Sequence, residues 1–150
     1  MRDVFNLASA ELPAEHDREG RRFRAARVGD ALGADLIGGG VYELPAGERT
    51  YPYHYHHGVE EWLIVIDGTP SVRTPDGTRE LARGDVVCFS PGAEGAHDVT
   101  GPGRVLILST GTSPTIAVYP DSDKVGSRPA DPADRLNFRR GDAVDYWEGE

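Results

Sequence analysis

A chain of 150 residues is the size of one compact domain, long enough to bury a core unaided and too short for two well-formed units. Its formal net charge of −9, with the arginines of residues 18–27 mixed among acids, argues against nucleic acid as a partner, because phosphate backbones are held by concentrated positive charge. No run approaches the roughly 20 apolar residues of a membrane span, and the start Met1-Arg2-Asp3-Val4-Phe5 lacks the apolar region of a signal peptide, so the expected location is cytoplasmic.

Residues 1–33 are polar and read as an irregular N-terminal extension, with a loop over 15–20. From Ala34 the character changes: residues 35–44 read as a strand, an interruption at Gly38-Gly39-Gly40 and a second short strand, ending at Pro45-Ala46-Gly47. Residues 61–66 are a strong strand with apolar side chains on both faces, which belongs in a sandwich or closed barrel. Asp67-Gly68 ends it. Residues 71–74 and 78–81 flank Pro75-Asp76-Gly77 as a hairpin, whose alternating polar residues predict an exposed edge. After the turn Arg83-Gly84-Asp85 comes the apolar run 86–89, in which the single cysteine, Cys88, reads as a buried inert thiol. A loop leads to short strands at 97–100 and 104–109, and after Val118 the chain turns polar again and reads as an extended tail over 119–150, packing on the barrel or on a partner subunit through the bulk of residues 142–147. Short strands recurring every 8–12 residues or so, with Gly and Pro between them, predict an antiparallel all-β sandwich or barrel over 34–118.

The chemistry-bearing residues lie within that span. On a strand, residues two apart share a face, so His54 and His56 present both imidazoles to one point while Tyr55 and His57 face away. The same parity puts Glu61, Leu63 and Val65 on one face of their strand. If that face is the interior, a carboxylate joins two imidazoles among aliphatic walls, where a cation relieves the cost of a buried charge. Glu60, one position off and on the opposite face, is the rival. His97, after the loop 91–96, can complete three nitrogens and one oxygen, a set that suits zinc, iron, manganese, nickel or copper and not calcium.

Gly47, His54-Tyr55-His56, Glu61 and Gly68 resemble the first motif of the cupin superfamily, and Gly84-Asp85, Pro91, Gly95 and His97 resemble the second. The two motifs fall in order with the right gap, although one extra residue separates Gly47 from His54 and another lengthens the second glycine-to-proline gap. The resemblance covers roughly residues 34–118. It implies an all-β fold of cupin type, an antiparallel β-barrel (a double-stranded β-helix, jelly-roll-like) in a small single-domain protein. It also implies a ligand set of His54, His56, Glu61 and His97 around one divalent transition metal, and the family includes dioxygenases, isomerases, lyases, decarboxylases and polyketide cyclases.

The plainer readings stand beside these. Clustered histidines can be a surface tract, and His16 and His57 are expected to face solvent; the alternative for the four ligands is a structural polar network. Tyr42, Tyr51, Tyr53 and Trp62 can line a pocket, with packing the default. Glu94 and Asp98 can serve as acid or base, with simple solvation the default. Leu63, Val65 and Val99 are the inward residues expected to line a ligand pocket, which leans towards an apolar ligand. The expectation is therefore a metal-binding cupin, as an enzyme acting on a small organic molecule or as a non-catalytic ligand-binding barrel with a structural metal. Apolar outer strand faces need cover, and a two-fold homodimer is expected to supply it.

Overall fold

The computed structural model describes residues 3–111 and 114–150. In chain order the elements are β1 (Ala14–Arg18), β2 (Arg21–Arg27), the one-turn helix α1 (Val28–Leu32), β3 (Gly38–Leu44), β4 (Tyr55–His57), β5 (Glu61–Gly68), β6 (Ser71–Thr74), β7 (Gly77–Glu80), β8 (Val86–Phe89), β9 (Asp98–Thr100), β10 (Gly103–Ser109), β11 (Thr115–Tyr119), β12 (Lys124–Arg128) and β13 (Asn137–Arg139). All pairings are antiparallel. A six-stranded sheet runs β1-β2-β3-β10-β5-β8, a four-stranded sheet β13-β12-β11-β4 and a three-stranded sheet β7-β6-β9.

Side-chain alternation sorts the core into two layers. Leu63 and Val65 of β5, Val105 and Ile107 of β10, Leu44 of β3, Phe89 of β8, Val72 of β6 and Val99 of β9 share the interior cluster, with Phe23 and Leu81. The intervening residues Val41, Leu106, Ile64, Ile66 and Leu108 face outward and pack with Leu12, Val28, Phe5 and Leu7. A strand apolar on both faces is thus covered on its outer side, in part, by the chain's own residues 5–28.

That finding corrects the reading of the first 33 residues as irregular. β1 and β2 form a hairpin with Ala14 opposite Ala25 and Arg18 opposite Arg21, and β2 joins the large sheet through β3. Every residue of β1 is exposed and β2 buries only Phe23 fully, so neither strand carries an alternating apolar signal. The C-terminal tail likewise contains strands: β12 and β13 extend the four-stranded sheet outward from β11. The glycine run is also corrected. Gly38-Gly39-Gly40 lies inside one continuous strand, β3, opposite Ser109, Leu108 and Ile107 of β10. A Cβ at Gly39 would sit 2.8 Å from Leu108 Cδ2 and 3.1 Å from the Ile107 carbonyl, so glycine is what lets β10 approach. The hairpin β6–β7 is an edge as predicted, with β7 exposed along its length.

Cys88 is exposed, against the expectation of a buried thiol. β8 is the edge strand beside β5 and alternates: Phe89 turns inward, whereas Val86 and Cys88 face out.

Candidate metal centre

The site forms where β4 and the residue before β9 meet the start of β5. His54 and His97 face each other across an isolated antiparallel bridge, with His54 N–H donating to the His97 carbonyl at 3.1 Å and His97 N–H to the His54 carbonyl at 2.9 Å. Opposed residues of a bridge project to the same side, and their ring centroids lie 4.9 Å apart. His56, two residues on, shares that side, 4.9 Å from the His54 ring. Glu61 enters from β5 on the face of Leu63 and Val65. Donor atoms of His54, His56 and Glu61 lie within 4.8 Å of one another, and Glu61 Oε2 is 3.6 Å from His56 Nε2 and 3.5 Å from His97 Nε2.

Two of the rings are oriented by backbone. His54 Nδ1 is 2.7 Å from the Pro52 carbonyl and His97 Nδ1 is 2.9 Å from the Gly95 carbonyl. A carbonyl only accepts, so Nδ1 carries the proton in each ring and the Nε2 lone pair is left for a cation. His56 Nδ1 is buried with no hydrogen-bond partner.

Burial sets the protonation states. Desolvation holds His54 below its ordinary value, with the Pro52 carbonyl opposing and the charges of Arg128 and Arg21 adding to the effect. It pushes His56 down to about 4, helped by His54 and Arg128, and His97 to about 3. Desolvation alone raises Glu61 to about 7. The imidazoles are therefore neutral at pH 7, and their close approaches to Glu61 are not ion pairs. Three neutral imidazoles and a carboxylate short of charge partners are the donor chemistry of a transition-metal site.

Packing fixes the cluster from outside. Phe89 stacks on His97, centroids 3.8 Å apart and planes at 10°, and Tyr119 of β11 stacks on His54 at 5.9 Å. Tyr51 meets His54 edge-on, and Tyr42 and Tyr51 bring their hydroxyls to 3.5 Å. With Phe23 and His16 these two tyrosines line a cavity of about 230 Å³.

Of the other residues singled out in the sequence, Leu63, Val65 and Val99 lie in the interior cluster at 0, 2 and 0 % exposure. Glu60 accepts a 2.6 Å hydrogen bond from Trp62 Nε1. His16 and His57 are exposed. The default reading of Asp98 as solvated is corrected. It is 3 % exposed, pairs with Arg49 at 3.4 Å, and has an unpartnered Oδ1. Tyr119 and Arg128 were not legible from spacing, because they reach the site across paired strands far along the chain.

The family model described as the cupin domain matches residues 40–111. Among solved structures, a proposed sugar phosphate isomerase from Acidithiobacillus ferrooxidans superposes with a TM-score of 0.75 at 23 % identity, covering 84 % of this chain and 81 % of that one. A cupin-superfamily sugar phosphate isomerase from Silicibacter pomeroyi gives 0.74 at 23 %, covering 82 % and 80 %. The polyketide cyclase RemF from Streptomyces resistomycificus gives 0.54 at 24 %, covering 77 % and 84 %. No curated protein sequence matches this chain. The cupin-domain match over residues 40–111, the two motifs, the antiparallel two-layer core and these superpositions agree on one conclusion, that this chain carries the cupin fold.

Proposed function

We propose that the protein is a metal-dependent cupin enzyme, holding one divalent transition metal on His54, His56, Glu61 and His97 and acting on a small organic molecule. The observation that carries this reading is the pair of Nδ1 hydrogen bonds to the Pro52 and Gly95 carbonyls, which aim two neutral imidazoles at the desolvated Glu61 carboxyl. A purely structural polar network would use those nitrogens on one another, and would not leave His56 Nδ1 buried without a partner. When bound, the metal supplies Lewis acidity and, if it is iron, access to dioxygen. The chain's own contribution is positional. His54 and His97 are locked by carbonyls and by the stacked rings of Tyr119 and Phe89, Glu61 offers its charge in a desolvated setting, and Tyr51, its hydroxyl 3.5 Å from that of Tyr42, packs edge-on against His54.

Elemental mass spectrometry of the purified protein tests the site. About one zinc, iron, manganese, nickel or copper per chain is expected in the parent and none in a His54→Ala, His56→Ala double variant. Iron directs the next assay to oxygen uptake, zinc to hydrolytic, isomerase or cyclase turnover. Absence of metal from the parent, even after reconstitution, would leave a ligand-binding barrel. The same reading includes a two-fold homodimer, supported by the exposed outer residues Trp62 and Val86 on neighbouring strands β5 and β8.

A further inference from the structure

The face of the four-stranded sheet that carries His56 continues outward along fixed rows. His56 stands opposite Ala117, Ala117 opposite Gly126, and Gly126 opposite Asn137, so these four residues point to one side. The two central members have little or no side chain. Arg128, two residues after Gly126 on β12, folds back over that gap. Its Nη2 donates to Tyr119 Oη and to Asn137 Oδ1, both at 2.9 Å, and its Nη1 donates to the Ser127 carbonyl at 2.9 Å and the Leu136 carbonyl at 3.5 Å. A Cβ at Gly126 would lie 2.8 Å from Arg128 Nη1 and 2.6 Å from Asn137 Oδ1. Glycine at 126 is therefore what admits the guanidinium to this face.

Every one of those acceptors is neutral. Among the described residues no carboxylate lies within 4.0 Å of Arg128, although the chain carries a net charge of −9 and supplies acids freely elsewhere. Of the half-buried arginines, Arg73 pairs with Asp121 at 2.6 Å and Arg104 with Glu43 at 3.5 Å. Arg21 and Arg128 have no such partner, and they are the two arginines whose charge reaches His54. Holding the tail in place requires hydrogen bonds, not an uncompensated charge. A guanidinium that is rigidly held, half-desolvated and unpaired is pre-organised for an anion.

We propose that Arg128, folded across Gly126 beside the metal centre, anchors an oxyanion group of the ligand, a carboxylate or a phosphate. This rests on the metal-site reading for its chemical purpose: a divalent cation with one carboxylate ligand and three neutral imidazoles keeps a positive charge, and an anionic substrate balances it together with Arg128. The C-terminal strands β12 and β13 then belong to the substrate site, and Arg128 selects the substrate's charge while Tyr119 and Asn137 position its guanidinium.

Calorimetric titration of the full chain, metal-free and zinc-loaded, with benzoate, inorganic phosphate and neutral benzamide tests the proposal. Binding of at least one of the two anions to both forms is expected, with benzamide much weaker. Preference for benzoate identifies a carboxylate substrate, and preference for phosphate a phosphorylated one. Arg128→Gln is expected to weaken the anion by about tenfold or more, and R128K to recover part of it. Gly126→Ala keeps the charge but displaces the guanidinium, and is expected to weaken the anion comparably; it is the deciding variant if R128Q loses its cooperative unfolding transition. Failure of the wild type to bind either anion, benzamide binding as tightly as benzoate, or R128Q (or G126A in its place) binding within about twofold of wild type overturns the proposal. Zinc uptake in R128Q and G126A separates the two readings. Arg128-dependent anion binding without any zinc uptake overturns the metal site alone, whereas normal zinc uptake with Arg128-independent anion binding overturns this inference alone.

Discussion

Glu61 makes the metal site pH-sensitive in a window that the histidines do not share. Its carboxyl is raised from 4.5 to about 7 by burial, whereas His56 and His97 are lowered to about 4 and about 3. In the metal-free protein the neutral carboxyl is the form the fold favours. Its contribution to stability is complete below pH 4.5 and is lost as pH rises through about 7, while that of the neutral histidines is present above 6.5 and is lost as pH falls towards 4. A metal must displace the Glu61 proton but finds the imidazole nitrogens already free. Zinc affinity is thus expected to fall by about tenfold per pH unit between roughly 7 and 5 and to level off above that. In Glu61→Gln the affinity is lower and the slope across this window disappears. Competition titrations with a chromogenic chelator at each pH measure it, and an unchanged slope in E61Q would mean that a histidine titrates instead. The approach of His54, His56 and Glu61 to one another was legible because strand parity carries that geometry locally, whereas His97 comes from a separate loop about 40 residues on. Arg128 and Tyr119 were not, since Tyr119 meets Lys124 and Ala117 meets His56 only through strand registers that no short-range spacing encodes.

At the scale of elements, legibility followed burial asymmetry. β5 was plain, because Leu63 and Val65 turn inward at 0 and 2 % exposure with a charged residue at each end of the run. β1 and β2 were invisible, because β1 is exposed throughout and β2 buries only Phe23 fully, so the hairpin rests on backbone pairing and on its attachment to β3 and leaves no apolar alternation to read. The glycines of β3 read as a break for a related reason: their function is close approach to Leu108 and Ile107, which depends on a partner strand some 70 residues away. The outer layer shows that the N-terminal segment is structural. Leu12 is 3 % exposed and packs with Val28, Val41 and Leu106. Leu12→Ala is expected to cost about 2–3 kcal/mol in urea unfolding with the slope unchanged. A loss below about 0.5 kcal/mol would show that residues 5–13 peel away from the sheet without consequence. Trp62 and Val86 lie beyond this cover, which is why the dimer expectation attaches to the β5–β8 end of the sheet and not to its whole outer face.

For the molecule as a whole, the placement of the ligands predicts that metal and fold are coupled but separable. The interior cluster contains none of the four proposed ligands, and its members come from seven different strands of two sheets together with Leu81. A chain of this length buries enough apolar surface to fold without metal, unlike small domains whose only core is the metal itself. On the proposed reading the loaded site adds to stability, because a cation held by His54, His56, Glu61 and His97 together binds only their assembled arrangement. Zinc at a hundredfold excess over its dissociation constant adds about 2.7 kcal/mol. For a 150-residue chain each kcal/mol moves the midpoint by about 2–4 °C, so a rise of about 5–10 °C is expected. Differential scanning calorimetry at pH 7.5, where Glu61 is mostly ionised, should show one cooperative transition for the chelator-treated protein, shifted upward by zinc. The His54→Ala, His56→Ala variant should unfold near the metal-free midpoint and ignore zinc. If the chelator-treated protein has no cooperative transition, the metal is part of the core and not an occupant of a preformed site. If the double variant shifts as far as the parent, the stabilising zinc binds elsewhere on the chain.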